Sequence, residues 1–464
     1  MNLNNFSKVT LESSSEKLTQ EFIWAKGQAL EYVHFNDPVG DWYDAALPNR
    51  EAFCMRDIFH QCNGGQVLGL RAHNKNMLKK FAENISETRD YCTYWEINRY
   101  DKPAPVDYKD DEDFWYNLPA NFDMIDCCLR QYLWTGDRDY IEDPVFLNFY
   151  DKSIKEYVEA WDLNRDGILE HKGQCHRRGI PSYIESDVGR RELLAGSDLI
   201  SAMFAGYKAY GEIQRLRGNF EKAEVYINKS EEIKEFFNKQ WWSIDLGNYL
   251  TSWYKDGEKV GTSLENANAN SDLVTSLPLY FNITEPGDKT EIALQTLTSA
   301  KKVNIETKSH FPEVLYKYEK EEEALDILYE LTDKNTNRRE YPEVSYSVIG
   351  AIITGILGVT PNYPRSEIET LPRLTEHIDW VGVNHIPVFN GEISIKYMKN
   401  NQVELVNNTG EDFVWKVTFK GRMNKIKINN ESYEAEKEVR KNGQIYSYVK
   451  VNIKNGQQLR AIGC

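Results

Sequence analysis

The run VSYSVIGAIITGILGV, residues 344–359, decides how this chain folds. Apolar residues fall on almost every side of the helix it would form, so that helix has to be covered all round. It is too short and, with Ser345, Ser347 and Thr354, too polar to span a bilayer. The remaining reading is an inner helix, with Gly350, Gly355 and Gly358 letting neighbouring backbone come close. Pro342, just upstream, suits a first helical position, which puts Glu343 in the first turn and Glu340 in the loop before it.

Working outward, apolar residues recur at helical spacing from about residue 15 to 360. The period and the turn residues predict twelve stretches, near 17–34, 51–70, 75–90, 114–134, 143–161, 191–217, 219–239, 271–281, 286–300, 310–318, 320–333 and 343–357. Long links follow the odd-numbered stretches, and several links after the even-numbered ones are short. That alternation is what six helical hairpins in a ring would show, with the long loops gathered at one end. Beyond Pro361 the period changes to two in EISIKYM, QVELVN, DFVWKVTF, NKIKIN, IYSYVKVNI and QLRAIG, separated by Asn and Gly turns. The expected fold is therefore mainly α: a toroid of six helical hairpins over residues 1–365, followed by a small antiparallel β-sandwich over 366–464.

The formal net charge of -16 argues against nucleic acid or an anionic membrane as partner, since both would be repelled. The seven cysteines are odd in number and contain no CxxC pair, which reads as reduced thiols rather than a disulfide frame or zinc site. With no basic–apolar leader at the start, a cytoplasmic location is expected. No histidine pair has metal spacing, no GxSxG is present and no glycine-rich strand–helix turn is available for a nucleotide, so neither metal nor cofactor is expected. The sequence leaves the oligomeric state open.

Acidic residues in unusual settings occur in three of the long loops. In the first, Arg56 and Asp57 open a helix, where a carboxylate stays ionised and can accept from hydroxyl groups while Arg56 donates; a structural ion pair is equally consistent with the spacing. In the second, 162–191, Glu170, Glu185 and Asp187 compete as a proton donor. Glu185 is preferred because Tyr183 and Ile184 beside it could raise its pKa. The alternative is a loop glutamate paired with Arg190 or Arg191. Asp162, Asn164 and Asp166 open this loop like a calcium site, but Gly173 stands where a bidentate Glu is needed, so a tight turn is the better reading. In the third, the helix dipole favours Glu343 over Glu340 as an ionised base. Trp95, Glu96, Asp107, Trp115 and Asn121 would ring the same mouth, with Trp253 and Asn270 as weaker candidates.

The segments AALPNREAFCMRDIFHQCNGG, DFWYNLPANFDMIDCCLRQYLWTGDRDY and REYPEVSYSVIGAIITGILG resemble the catalytic domain of six-hairpin (α/α)6 glycoside hydrolases, the group of glucoamylases, trehalases and α-L-rhamnosidases. The resemblance covers about residues 15–360, and the C-terminal β-domain is similar to the one that follows the helices in rhamnosidase-like members. It implies that Arg56 and Asp57 grip the sugar, that the acid comes from the Glu185 region and that the base is Glu343 or Glu340. The expected activity is hydrolysis of an oligosaccharide or glycoside by two carboxylates, with inversion. A sugar epimerase or lyase is the rival reading, and clustering of two of His60, His176 and His310 at the cavity floor would favour it. A glycan- or protein-binding scaffold, the third, calls for an apolar groove without facing carboxylates.

Overall fold

A computed structural model describes residues 6–47, 49–172, 179–180, 182–183, 193–269, 276–440 and 443–464. Each of the twelve expected stretches holds a helix: α1 (Glu16–Glu31), α2 (Met55–Val67), α3 (Arg71–Glu83), α4 (Ala120–Thr135), α5 (Pro144–Ile154), α6 (Ser197–Leu216), α7 (Phe220–Gln240), α8 (Ser276–Tyr280), α9 (Asp288–Ser299), α10 (Phe311–Lys317), α11 (Glu321–Thr332) and α12 (Pro342–Ala351). Caps set several starts. Ser15 accepts from the Leu18 N–H ahead of α1, and Asp143 from Val145 N–H ahead of α5, where Pro144 fills the first position.

Burial separates the helices into two kinds. On α6 nearly every side chain is buried, whereas on α7 only Ala223, Ser230, Ile233 and Phe237 are, one stripe facing α6. The even-numbered helices touch in succession, α2 to α4, α6, α8, α10 and α12, and α12 packs back on α2. Odd-numbered helices lie against them: α1 on α12, α3 on α2, α7 on α6, α9 on α8 and α11 on α10.

The tightest crossing is α2 with α12. A Cβ on Gly64 would stand 2.1 Å from the Tyr346 carbonyl oxygen, and one on Gly350 would meet Asn63 and Gly64 at 3.3 Å. Gly355 and Gly358 are equally closed in, by the Tyr316 ring and the Leu371 carbonyl. The last turn of the α12 segment, Ile352–Ile356, is a π-helix, with Leu357 N–H bonding Ile352 O at 3.1 Å. This crossing holds the first turns of α2 and α12 side by side.

Two sheets form the β layer. All six alternating runs are strands there, and the strand Trp380–Val388 joins them. One pair departs from the antiparallel expectation: Glu367–Thr370, reached by a turn from the edge strand Thr360–Asn362, runs parallel to Phe413–Lys420. Thr10–Ser13 pairs with Trp380–Val388, so the layer draws on both ends of the chain. Trp134 at the end of α4 donates its indole N–H to Pro387 O at 2.7 Å, and Tyr397 donates to Leu357 O at 2.7 Å. These bonds fasten the β layer near the C-terminal ends of α4 and α12. Short strands also line the long loops, among them Ala52–Cys54, Glu96–Asn98 and Leu193–Gly196. They displace the expected starts of α2 and α6 to Met55 and Ser197.

Candidate active site

A cavity of about 250 Å³ opens where α2 and α12 begin, walled by Trp95, Glu96, Asp107 and Trp115 and floored by Arg56, Asp57, Glu306 and Tyr341. Local pairing builds the wall. Cys54 lies opposite Glu96 in an antiparallel pair, and Met55 N–H bonds Trp95 O at 3.1 Å, so Trp95 and Glu96 stand beside the first turn of α2.

Glu96 is 2% exposed. Arg50 donates to its Oε2 at 2.7 Å and to Asp107 at 3.4 Å. Burial, reinforced by the Asp107 carboxyl and only partly offset by Arg50, pushes Glu96 up to about 8. Glu96 Oε1 is buried without a partner among the described residues, an acceptor on the cavity wall.

On the floor, Asp57 sits in the first turn of α2, 1% exposed, with Arg56 Nε 3.5 Å from one oxygen and the Tyr341 hydroxyl donating to the other at 3.4 Å. The Arg56 guanidinium lies over the rings of Trp95 and Tyr183, at 5.6 and 5.4 Å. Burial, then Asp57 and Glu343, hold the Tyr341 hydroxyl far above the usual phenol range, so it remains a donor. That dependence places Glu343, itself 2% exposed, within electrostatic reach of the floor.

One turn along α2 from Asp57, His60 stacks on His310 with ring centroids 3.5 Å apart and planes 9° from parallel. Burial pulls His60 down to about 4 and, with His60 beside it, moves His310 well below the usual range. Both are neutral at pH 7, so the 3.7 Å separation of His60 Nδ1 from Glu343 Oε1 is a contact rather than an ion pair. Ligand atoms of His60, His310 and Glu343 lie within 4.8 Å of one another, the spacing of a metal cluster. Near-parallel rings, however, point their in-plane lone pairs side by side instead of at one point, an arrangement poorly suited to chelation by both rings.

The other expected residues divide. Trp95, Glu96, Asp107 and Trp115 come together with Arg56 and Asp57. Glu340 does not: its side chain is 60% exposed and paired with Arg339 at 3.1 Å. Asn121 is spent on structure, donating to Tyr91 O and Ser153 Oγ. Trp253 lies in the strand Asn248–Tyr254 under the Lys259 ammonium. Glu170 accepts from the N–H groups of Leu163 and Asn164, and Asp162 from those of Asp166 and Gly167, so these carboxylates hold a tight turn. Glu185, Asp187, His176 and Asn270 lie outside the described residues. Tyr183 is placed by its ends: its N–H bonds Asp198 at 2.6 Å and its hydroxyl donates to Asp123. Burial raises Asp198 to about 6 and Asp123 well above the usual carboxylate range.

Arg50, Tyr341 and Glu306 escaped the sequence reading. Arg50 and Tyr341 stood inside quoted segments, without a signal separating them from their neighbours. Glu306 came from a link that showed no pattern, and it also pairs with Arg338 at 2.6 Å.

Helices with these contacts, a mouth at the start of α2 and α12, and a β layer at the far end define a glycoside hydrolase-like fold with a C-terminal β domain. The solved structures that share it include the α-L-rhamnosidase of Dictyoglumus thermophilum, at TM-score 0.64 and 15% identity over 99% of this chain and 50% of that one. A GH78-family rhamnosidase of Bacillus sp. GL1 matches at 0.60 and 12%, over 84% and 40%, and a sialidase at 0.57 and 12%, over 85% and 38%. The chain thus spans half or less of the length of these three neighbours. No protein-family model and no curated protein matches the sequence.

Proposed function

We propose that this chain hydrolyses a glycosidic bond of an uncharged oligosaccharide or glycoside on an (α/α)6 toroid, using one carboxyl group on the cavity wall and a second buried behind its floor. The observation that carries the reading is one cavity that brings Glu96, a carboxyl raised by burial to about 8, together with Arg56, Asp57, Glu306 and Tyr341. Hydrolysis needs a proton donor for the leaving oxygen and a base for water on the other face. Glu96 takes the acid role ahead of Glu185, because its protonated state at neutral pH has a stated cause. Glu343 takes the base role, buried in the first turn of α12 where the helix dipole favours its charge. Asp57 and Arg56 grip the sugar, and Trp95 and Trp115 offer faces for its C–H surface. Likeness to rhamnosidases makes a rhamnoside the first substrate to try.

The test is release of the aryl alcohol from a panel of aryl glycosides by the wild type and by Glu96→Gln, Glu185→Gln, Glu343→Gln and Asp57→Asn. Losing acid or base lowers kcat by about 10²–10⁴-fold, whereas losing the grip acts chiefly on KM. Unchanged cleavage by Glu343→Gln removes it as the base, and a kcat collapse with Glu185→Gln but not Glu96→Gln returns the acid to the second loop.

A second reading is favoured by one observation, the His60–His310 stack behind the floor. Two neutral imidazoles that can trade a proton suit epimerisation next to a carbonyl. Solvent deuterium appearing on carbon in a free reducing sugar, with loss of that exchange in His60→Gln, would support it over hydrolysis. The carboxylates around the cavity speak against a passive binding scaffold.

A further inference from the structure

A second cavity, about 730 Å³, lies at the opposite end of the even-numbered helices, between the C-terminal halves of α4 and α6, the ends of α8 and α10, and the segment 362–365 that leads to the β layer. Its volume falls in the range of small-molecule sites. Its charge is opposite to that of the whole chain. Five cations line it, Arg130, Lys208, Arg215, Lys317 and Arg365, against two carboxylates, Asp126 and Glu212. The carboxylates are already taken, Asp126 by Arg130 at 2.8 Å and Glu212 by Arg215 at 2.7 Å.

That leaves three cations. Lys317 donates to the neutral Tyr280 carbonyl at 2.8 Å and lies 3.6 Å from the centroid of the Tyr280 ring, and Lys208 and Arg365 have no carboxylate within ion-pair distance among the described residues. Cations in a last helical turn complement the helix dipole, which accounts for Lys317 and Arg215. It does not account for Lys208, which is in mid-helix, or for Arg365, which is outside any α-helix. Lys317 is also depressed to about 8, by burial, with Arg130 and Lys208 adding repulsion and Glu313, one turn back, opposing. Glu313 is itself occupied by the Asn63 amide at 2.7 Å. Like charges gathered in one concavity of a chain of net charge -16 are costly unless an anion joins them. Beside them Phe204, Tyr280 and Phe281 supply apolar surface.

We propose that this cavity binds a small ring-bearing anion with at least two negative charges, carried as phosphate or carboxylate, with Lys208, Lys317 and Arg365 on the charges and the Phe204–Phe281 side on the ring. The site is separate from the glycoside cavity and does not depend on that cavity's chemistry.

Isothermal titration calorimetry on the full chain tests it, using glucose 6-phosphate and benzene-1,3,5-tricarboxylate as anions and glucose as the uncharged control. The expected result is saturable binding of at least one anion, none of glucose, and affinity weakened about tenfold or more in the Lys208→Gln/Arg365→Gln double variant. Both side chains are exposed, and a far-UV melt checks that the variant folds. A preference between the two anions tells phosphate from carboxylate. Failure of both anions to saturate, equal binding of glucose, or an affinity unchanged by the double substitution would overturn the proposal.

Discussion

A carboxyl group at the wall of a water-filled cavity ionises near pH 4 unless something withholds water or adds charge, and Glu96 has both burial and Asp107 against it. If Glu96 is the acid, activity requires its protonated form, so kcat/KM falls as pH rises through about 8. Asp107→Asn removes the repelling carboxyl and shifts that alkaline limb to lower pH, which a pH–rate profile reads directly. His60 provides a stability counterpart. Unfolded histidine titrates near 6.5 and His60 in the fold near 4, so between those values the unfolded chain holds the extra proton. Stability is full above pH 6.5 and declines as pH drops toward 4, by roughly 3 kcal/mol for this one group. Urea melts between pH 4 and 7 should show the decline, and His60→Gln should make it shallower, with the buried His310 and His73 keeping the rest. Trp95 and Glu96 were legible in the sequence as polar and aromatic residues near a mouth. The neutrality of Glu96 was not, because it arises from the Cys54–Glu96 pairing and from Asp107 eleven positions on. The His60–His310 stack was hidden for a similar reason, as only the fold brings the two residues together.

At the scale of elements, the α2–α12 crossing sets the geometry of the floor. Gly64→Ala would press a methyl onto the Tyr346 carbonyl at 2.1 Å, which neither helix can yield without moving. We expect a loss of roughly 2–3 kcal/mol and a larger loss of activity than stability alone explains, since Arg56, Asp57 and Glu343 shift with the helices. Thermal melts and kcat on the same preparation separate the two. Gly27 is the control: with open space around it, Gly27→Ala on α1 should stabilise slightly. Helices were legible because a 3.6-residue period persists over ten to twenty positions. Most strands in the long loops were not, because two to four residues carry no period, and each was folded into a neighbouring helix or left as link. The parallel pair Glu367–Thr370 with Phe413–Lys420 was equally invisible, since strand direction depends on where the chain arrives rather than on alternation.

For the whole molecule, the two ends of the chain are joined. Thr10–Ser13 completes a sheet built otherwise from residues beyond 380, and Val9 and Leu11 are buried beneath it. Deleting residues 6–13 should therefore destabilise by roughly 3–6 kcal/mol, the burial of two aliphatic side chains, although the cavity at the start of α2 and α12 lies elsewhere. Differential scanning calorimetry of the truncated and full chains would show it. The account as a whole rests on bond hydrolysis at the α2–α12 mouth by an acid and a base, and proton NMR of an aryl α-L-rhamnoside turning over in D₂O tests that most directly. It predicts first appearance of the free sugar as the β-anomer, before mutarotation, with no deuterium on any ring carbon. Deuterium on carbon in an uncleaved or isomerised sugar, or first appearance of the α-anomer, would contradict it.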